Sequence, residues 1–504
     1  MTKITEIMKK TITIIALAAL FISCAKEAEQ TPATSGNVVT VAPTEFHATL
    51  ETPEPDTKTT LDTNGKTVLW EEGDSISVWP GVSAQAKYTL SSGADTNSAT
   101  FRLSSEPATG DAIGGNFALY PYDGEVVLTE GESGLPVFKN IKYPAVQNYR
   151  ENSWDKGAMT MLALCSLSAN SLSFRSISGV LRLTLKGTAT IDSIRVSALG
   201  ADEYVAGVVD LDLMSAETFT FGEKTVTLKC GESGVKLSET EGTVFNIVIP
   251  SITGGFKVAI CDRNHGVMIL ESKSEIKYNT ILNMPTKVYD PNAKDLGLSV
   301  YWAICNVGAT TPEGYGDYFA WGETKPYYEA GHAYDDPCTN WKDGKSSGYE
   351  WNSYQWCSNK PITSEDSPEF NKYNDTDGKT VLEAGDDAAN KNCGSAWRMP
   401  TYDEFEELFI NCEWTWTTQN GVNGYKVTSK VEGYTDAAIF LPAAGYRDGD
   451  SLDDVGDYGF YWSSSLRWYY TINARLLYFD ASDADTSYYG RLRSYGQSVR
   501  SVTE

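Results

Sequence analysis

Val180-Leu-Arg-Leu-Thr-Leu185 places a leucine at every second position, with Arg182 and Thr184 between them. A period of two puts the leucines on one face of a strand and the polar residues on the other. The alternation returns in Glu45-Phe-His-Ala-Thr-Leu50, Ser75-Ile-Ser-Val-Trp79, Val226-Thr-Leu-Lys229 and Val244-Phe-Asn-Ile-Val-Ile249, punctuated by Gly, Asp and Ser. From about 43 to 290 the chain therefore reads as short antiparallel strands packed as β-sandwiches, with no long amphipathic helix between them. A break near 150–170 divides the region into two units of ordinary domain size, 43–165 and 166–290.

Working outward to the start, Lys3, Lys9 and Lys10 precede an apolar run from Ile14 to Ile22. The run is too short to span a bilayer and has the form of a secretory signal over 1–23. It ends in Leu20-Phe21-Ile22-Ser23-Cys24, a loose lipobox with bulky residues near the cleavage point. An ordinary cleaved signal that happens to end in Cys is the alternative to lipidation at Cys24. Lipidation is the expectation, and several acyl chains would anchor the protein stably where one would not. Residues 24–42, rich in Ala, Thr, Glu and Pro, read as a flexible tether.

The chain of 504 residues has a formal net charge of −26, so nucleic acid and anionic membrane surfaces would repel it. Membrane attachment is expected through the lipid alone. Aromatics make up 12% and are mostly Tyr and Trp, the usage of β-rich secreted proteins and of sugar- or protein-binding surfaces. The cysteines after Cys24 (Cys165, Cys230, Cys261, Cys305, Cys338, Cys357, Cys393 and Cys412) contain no CxxC pair, which excludes a zinc ribbon and a small disulfide scaffold. One or two disulfides within 305–412 are compatible with the sequence, but spacing does not assign them. His47, His265 and His332 are scattered, and neither HExxH nor a Walker loop occurs. Gly344-Lys-Ser-Ser-Gly348 matches a nucleophile elbow in letters only, because its flanks are polar rather than a strand and a helix. We expect no enzyme activity, no cofactor and no metal.

Residues 286–295 form a hinge, after which Trp, Tyr, Gly and Asp become dense and regular strands sparse. The spacing predicts a helix from Thr401, with Thr401 and Glu404 as a capping box, Pro400 blocking an earlier start, and Phe405, Leu408 and Phe409 on one face. Glu404, Glu406 and Glu407 are expected to face water, and Trp397, Trp414, Trp416 and Trp462 to be core or framework. Asn374-Asp-Thr-Asp-Gly378 fails the EF-hand template, since position twelve of such a loop is Ala384. Asp386-Asp387 and the acidic run Asp448 to Asp454 read as solvated turns, a structural calcium site being the alternative, and no carboxylate pair is singled out for glycosidase work.

Two stretches carry likenesses. Phe46-His-Ala, Thr57-Lys-Thr-Thr, Val68-Leu-Trp70, Gly73-Asp74, Ala118-Leu-Tyr-Pro121, Pro144-Ala-Val-Gln147, Gly179-Val-Leu-Arg-Leu-Thr-Leu185, Gly207 and Ile249-Pro250 resemble the fimbrillin-like proteins of Bacteroidales. The resemblance implies two transthyretin-like β-sandwiches exported as a lipoprotein, and pilin partners joined by strand insertion. Asp295-Leu-Gly-Leu-Ser-Val-Tyr-Trp302, Tyr315-Gly-Asp-Tyr-Phe-Ala-Trp-Gly-Glu-Thr324, Trp397-Arg-Met-Pro-Thr401, Leu441-Pro-Ala-Ala-Gly-Tyr-Arg447, Tyr461-Trp-Ser-Ser464 and Gly496-Gln-Ser-Val-Arg500 resemble the Fibrobacter succinogenes major paralogous domain. That domain is similar to C-type-lectin-like and formylglycine-generating-enzyme-like folds. The resemblance implies an α+β C-terminal domain, 295–504, so the fold class expected is mainly β. The enzyme branch uses a late cysteine pair and the calcium lectins use Glu-Pro-Asn or Gln-Pro-Asp; this chain has neither.

The candidate site lies between Leu466 and Tyr495. It comprises Arg467, Trp468, Tyr469, Tyr470, Asn473, Arg475, Asp480, Asp483, Asp485, Ser487, Tyr488, Tyr489, Arg491, Arg493 and Tyr495. Tyr and Trp supply large rigid contact area, Arg and Asp directional hydrogen bonds, Ser and Asn adaptability. The block resembles regions diversified by retroelements in lectin-like proteins; an ordinary β-rich edge with exposed Tyr is the alternative. The whole reads as an outer-membrane, cell-surface lipoprotein, an adhesin or pilus tip, whose head binds a protein or glycan. With the head at the C-terminus, no terminal strand is left to donate, which argues against a repeating shaft subunit. A formylglycine-generating-like enzyme or accessory, and a structural pilus anchor, are the alternatives.

Overall fold

A computed structural model of the protein describes residues 42–51, 54–55, 69–105, 109–131, 136–213, 217–363 and 367–504; for 487–489 it describes the backbone alone. The signal segment, Cys24, the tether up to 41 and the Thr57-Lys-Thr-Thr motif lie outside the described residues. Strand accounts for 48% of the chain and helix for 4%, so the fold is mainly β, as expected. The chain divides into two compact units, one of residues up to 260 with 270–289, the other of 261–269 with 290–504.

In the first unit, seven strands close into a barrel: Glu45–Leu50, Ser75–Val82, Ala86–Ser92, Ser98–Ser105, Ala112–Tyr120, Met161–Cys165 and Ser171–Ser176. Phe46, Ala48 and Leu50 point inward while His47 and Thr49 are exposed. Trp70 fills the centre, its ring edge-on to Phe101 at 4.8 Å, Tyr120 at 5.2 Å and Phe174 at 5.6 Å. Ser171–Ser176 closes the barrel by pairing in parallel with Glu45–Leu50, so this barrel runs past residue 165. The long separation in sequence hides such a closure, because the partner strand lies at the far end of the domain.

The opening stretch lies in Gly179–Lys186, antiparallel to Thr243–Ile249 with Leu183 opposite Phe245. Leu181, Leu183 and Leu185 are buried, and Arg182 and Thr184 half-buried. A slip of one residue would turn the leucines out and the polar pair in, at roughly 1.5–3 kcal/mol per large apolar side chain exposed. A four-stranded sheet (Val127–Glu130, Pro136–Tyr143, Ala206–Asp212, Thr218–Glu223) packs Phe138, Ile141, Val209 and Leu211 with Trp79 and Phe117.

In the second unit, the described residues between 307 and 387 contain isolated bridges but no strand of a sheet, which fits the sparse-strand reading. After 412 the strands crowd. Cys412–Gln419, Val422–Ser429 and Ala438–Pro442 form one sheet, and Tyr458–Leu466, Asn473–Asp480 and Ala484–Leu492 another. The helix Tyr402–Asn411 begins at Thr401 with both halves of the capping box made, and Phe405 and Leu408 are buried. Phe409 departs from expectation: it is 37% exposed, with its ring 6.1 Å from that of Trp414. Glu404 and Glu407 also depart from it. Glu404 takes a two-pronged bond from Arg398 at 2.8 and 2.6 Å, and Glu407 accepts from the Ser299 amide at 3.0 Å. Trp397 and Trp462 are buried, and Trp414 and Trp416 are packed partly against the core.

Candidate functional site

The site is built on the sheet Tyr458–Leu466, Asn473–Asp480 and Ala484–Leu492. One face of it enters a core with Tyr461, Leu477, Phe479 and Ala484, backed by Phe405 and Leu408 of the helix. The other face carries Phe460, Trp462, Leu476 and Ala474 into a second core. With both faces packed, the sheet is a rigid support. Gly459 is needed in it, because a Cβ there would lie 2.0 Å from the Phe479 ring.

The connection between the first two strands carries Arg467 to Tyr470. It is tightly closed: Arg467 N donates to Asn473 O at 3.2 Å, Tyr470 N to Arg467 O at 3.0 Å and Asn473 N to Tyr470 O at 2.8 Å. At its crest Trp468 is 47% exposed, Tyr469 86% and Tyr470 58%. The Arg467 guanidinium lies 4.4 Å from the centre of the Tyr470 ring.

A second aromatic surface spreads over the sheet. Tyr446, Tyr458, Tyr478 and Tyr495, all half-buried, surround the buried Phe460. Tyr446 is 5.0 Å from Phe460 and 5.5 Å from Tyr495, Tyr458 is 5.9 Å from Tyr478, and Tyr478 is 5.3 Å from Phe460. Arg491 lies over this deck, 4.8 Å from the Phe460 centroid and 5.1 Å from that of Tyr446. Burial, then the charge of Asp480, pushes the Tyr478 hydroxyl up to about 12; burial and Asp448 do the same for Tyr495. These phenols stay protonated donors at neutral pH. The Asp453 carboxyl nearby is raised by burial and by Asp454, Asp336 and Asp448.

The expected site residues do not form one cluster. Arg475 sits on the Tyr402 ring of the helix at 4.1 Å. Asn473 begins the central strand, opposite Leu492. Asp480 closes the next turn, accepting from the Ser482 amide at 2.7 Å and hydroxyl at 2.6 Å, which hold its carboxyl below the usual range. Asp483 and Asp485 are exposed. The side chains of Ser487, Tyr488 and Tyr489 lie outside the described residues.

Arg493 requires a correction: it is fully buried. Its Nη1 donates to Tyr373 O at 2.7 Å, and its guanidinium lies 3.8 Å from the Phe370 centroid, so it belongs to the framework. Arg447 and Arg500 are buried in the same manner, each donating to backbone carbonyls. Sequence reasoning missed Tyr446, Tyr458 and Tyr478. Tyr478 could have been found from its alternation with Leu477 and Phe479; Tyr458 is joined to it by strand register, and Tyr446 by packing on Phe460 from a separate two-stranded sheet.

Other motifs have structural roles. Lys345 of Gly344-Lys-Ser-Ser-Gly348 reaches the buried Glu323 at 2.8 Å, and no strand leads into the loop. Asp377 of the Asn374–Gly378 stretch accepts from the amides of Tyr373, Asn374 and Lys379, a self-closed turn. The eight cysteines Cys165 to Cys412 form no disulfide, so the pairing allowed within 305–412 is not made. Burial raises the thiol of Cys305 and pushes that of Cys412 up to about 12, which leaves both poor nucleophiles. No helix among the described residues is long and apolar enough to cross a membrane.

No protein family matches the chain, and no curated protein does. Among solved structures the chain is similar to a candidate cell adhesion protein from Bacteroides ovatus, at 13% identity and a TM-score of 0.31, over 48% of this chain and 91% of that one. It is similar to a fimbrial protein from the same species at 9% identity and a TM-score of 0.22, over 91% of this chain and 98% of that one. It is also similar to the tip fimbrial protein Mfa3 of Porphyromonas gingivalis with C-terminal truncation, at 8% identity and a TM-score of 0.18, over 45% and 81% of the two chains.

Proposed function

We propose that this protein is a lipid-anchored cell-surface adhesin or pilus tip-like protein, whose residues 295–504 bind a protein or glycan ligand through the surface between Leu466 and Tyr495. One observation carries the reading: Trp468, Tyr469 and Tyr470 stand exposed on a closed turn of a sheet packed on both faces. Three adjacent large rings held out of the core by a rigid mount are costly to hydrate and suited to anchoring a partner. The turn and the tyrosine deck extend along the central strand, whose eight residues span about 23 Å at roughly 3.3 Å per step. A surface of that length fits a macromolecule or an extended oligosaccharide better than one sugar ring. The secretory segment ending in Cys24 supports the location.

The test is binding of the full chain to arrays of glycans and cell-surface proteins, with two variants alongside. One replaces Trp468, Tyr469 and Tyr470 by Ala; the other replaces Tyr458 and Tyr478 by Ala. The expected result is a ligand whose binding falls at least tenfold in the first variant, since a buried interface aromatic contributes about 2 kcal/mol or more, with an unchanged melting temperature. Undiminished binding by both variants refutes the assignment.

A further inference from the structure

The first unit contains a cavity of about 200 Å³. Its wall is partly apolar, with Leu50, Trp154 and Met161, and partly cationic, with Arg150, Lys156 and Arg182. Two of the cations are answered within the protein. Arg150 lies 2.8 Å from Glu71, and Lys156 lies 2.6 Å from the buried Asp74.

Arg182 differs. Its Nε donates to Asn246 Oδ1 at 2.8 Å, and Asn246 Nδ2 is itself fixed by Ser153 O at 3.1 Å. Among the described residues no carboxylate pairs with Arg182 and neither Nη finds an acceptor. Asp95 lines the wall too but makes no ion pair with it. Burial disfavours the charge, and no neighbouring anion offsets that. A guanidinium locked at Nε by a braced amide, with its Nη edge unengaged in a cavity, has the form that receives a carboxylate through two parallel bonds.

We propose that this cavity binds a small monoanionic ligand, a carboxylate on a sugar or short apolar skeleton, with Arg182 as its receptor and Trp154 as the wall against the skeleton. Glu71 and Asp95 in the same wall disfavour a second negative charge on the ligand. The volume suits one sugar ring or one amino-acid residue and lies below that of drug-sized pockets. Two natural sources share this chemistry: an acidic sugar, and the terminal carboxylate of a peptide.

Saturation-transfer NMR on the full chain separates these sources. The probes are glucuronate, N-acetylneuraminate and N-acetylphenylalanine, each against a neutral counterpart (glucose, a neuraminate ester, N-acetylphenylalanine amide). A carboxylate probe is expected to bind saturably and its neutral counterpart at least tenfold more weakly. Arg182→Gln should lose the same factor. If Arg182→Gln does not fold, Leu69→Trp serves instead: Leu69 is an exposed residue of the wall, and a larger ring there should close the entrance and abolish binding. Silence of every carboxylate up to about 10 mM, a concentration that detects Kd values in the weak millimolar range, overturns the proposal. Equal binding of charged and neutral probes, or binding that survives the substitution, overturns it too. The aromatic surface of residues 466–495 is untouched by these variants, so its assignment stands or falls separately.

Discussion

Replacing Glu217 by Gln should change how the stability of the first unit depends on pH. The Glu217 carboxyl accepts from the Tyr143 hydroxyl at 2.5 Å and from that of Tyr278, and no cation lies close enough to act on it. Burial wins over both hydrogen bonds and pushes the group up to about 7, from an ordinary value of 4.5. The sign follows from linkage. Below about pH 4.5 folded and unfolded chains both hold the proton and nothing is lost. Between 4.5 and 7 the unfolded chain ionises while the folded one does not, so stability falls with rising pH and levels off once the folded carboxyl ionises. A shift of about 2.5 units at 1.36 kcal/mol each sets a ceiling of roughly 3.4 kcal/mol. Glu217 keeps part of its surface exposed, which lowers that figure. Glutamine retains the acceptor oxygen and cannot ionise. Chemical denaturation of wild type and variant between pH 4 and 8.5 should therefore give a difference in unfolding free energy that grows by about 2–3 kcal/mol in favour of Gln as pH rises. Other titrating groups are common to both proteins and cancel. Parallel pH profiles for the two would refute the reasoning.

Arg500 donates to the carbonyls of Ala303, Ile304 and Phe440 and to Asn306 Oδ1. Arg500→Met removes the guanidinium donors from three buried acceptors and one half-buried one, so about 3–5 kcal/mol should be lost, and Arg500→Lys should restore only part of the melting temperature because an ammonium cannot span the same fork. Cys412, buried and held protonated, should resist iodoacetamide in the native protein at pH 8 and react fully once denatured. Rapid native labelling would contradict its burial at the end of the helix.

Much of the local structure was legible. The strands around Glu45, Ser75, Val180, Val226 and Val244 occur where alternation put them, because a pleated ribbon buries every second side chain whatever its neighbours. The capping box at Thr401 was equally local, three residues apart and satisfied within one turn. The block at 466–495 was recognisable by its tyrosines, and its most exposed rings lie at Trp468 to Tyr470. Its membership was not legible. Arg493 and Arg491 are two residues apart in one run, yet Arg493 is enclosed by Tyr373 and Phe370 and Arg491 lies over Phe460. In a regular strand residues two apart share a face, but the strand ends at Leu492, so Arg493 leaves that face and alternation no longer places it.

What the sequence determined by itself, then, is what neighbouring residues decide among themselves: strand periods and a helix start. Only the tertiary structure decided which tyrosines share a deck, that Ser171–Ser176 closes a barrel begun at Glu45, and that Arg182 meets a cavity with its Nη edge unpaired. Those outcomes depend on contacts between residues tens to hundreds of positions apart, and such contacts are chosen by the packing of whole sheets, which no local pattern records.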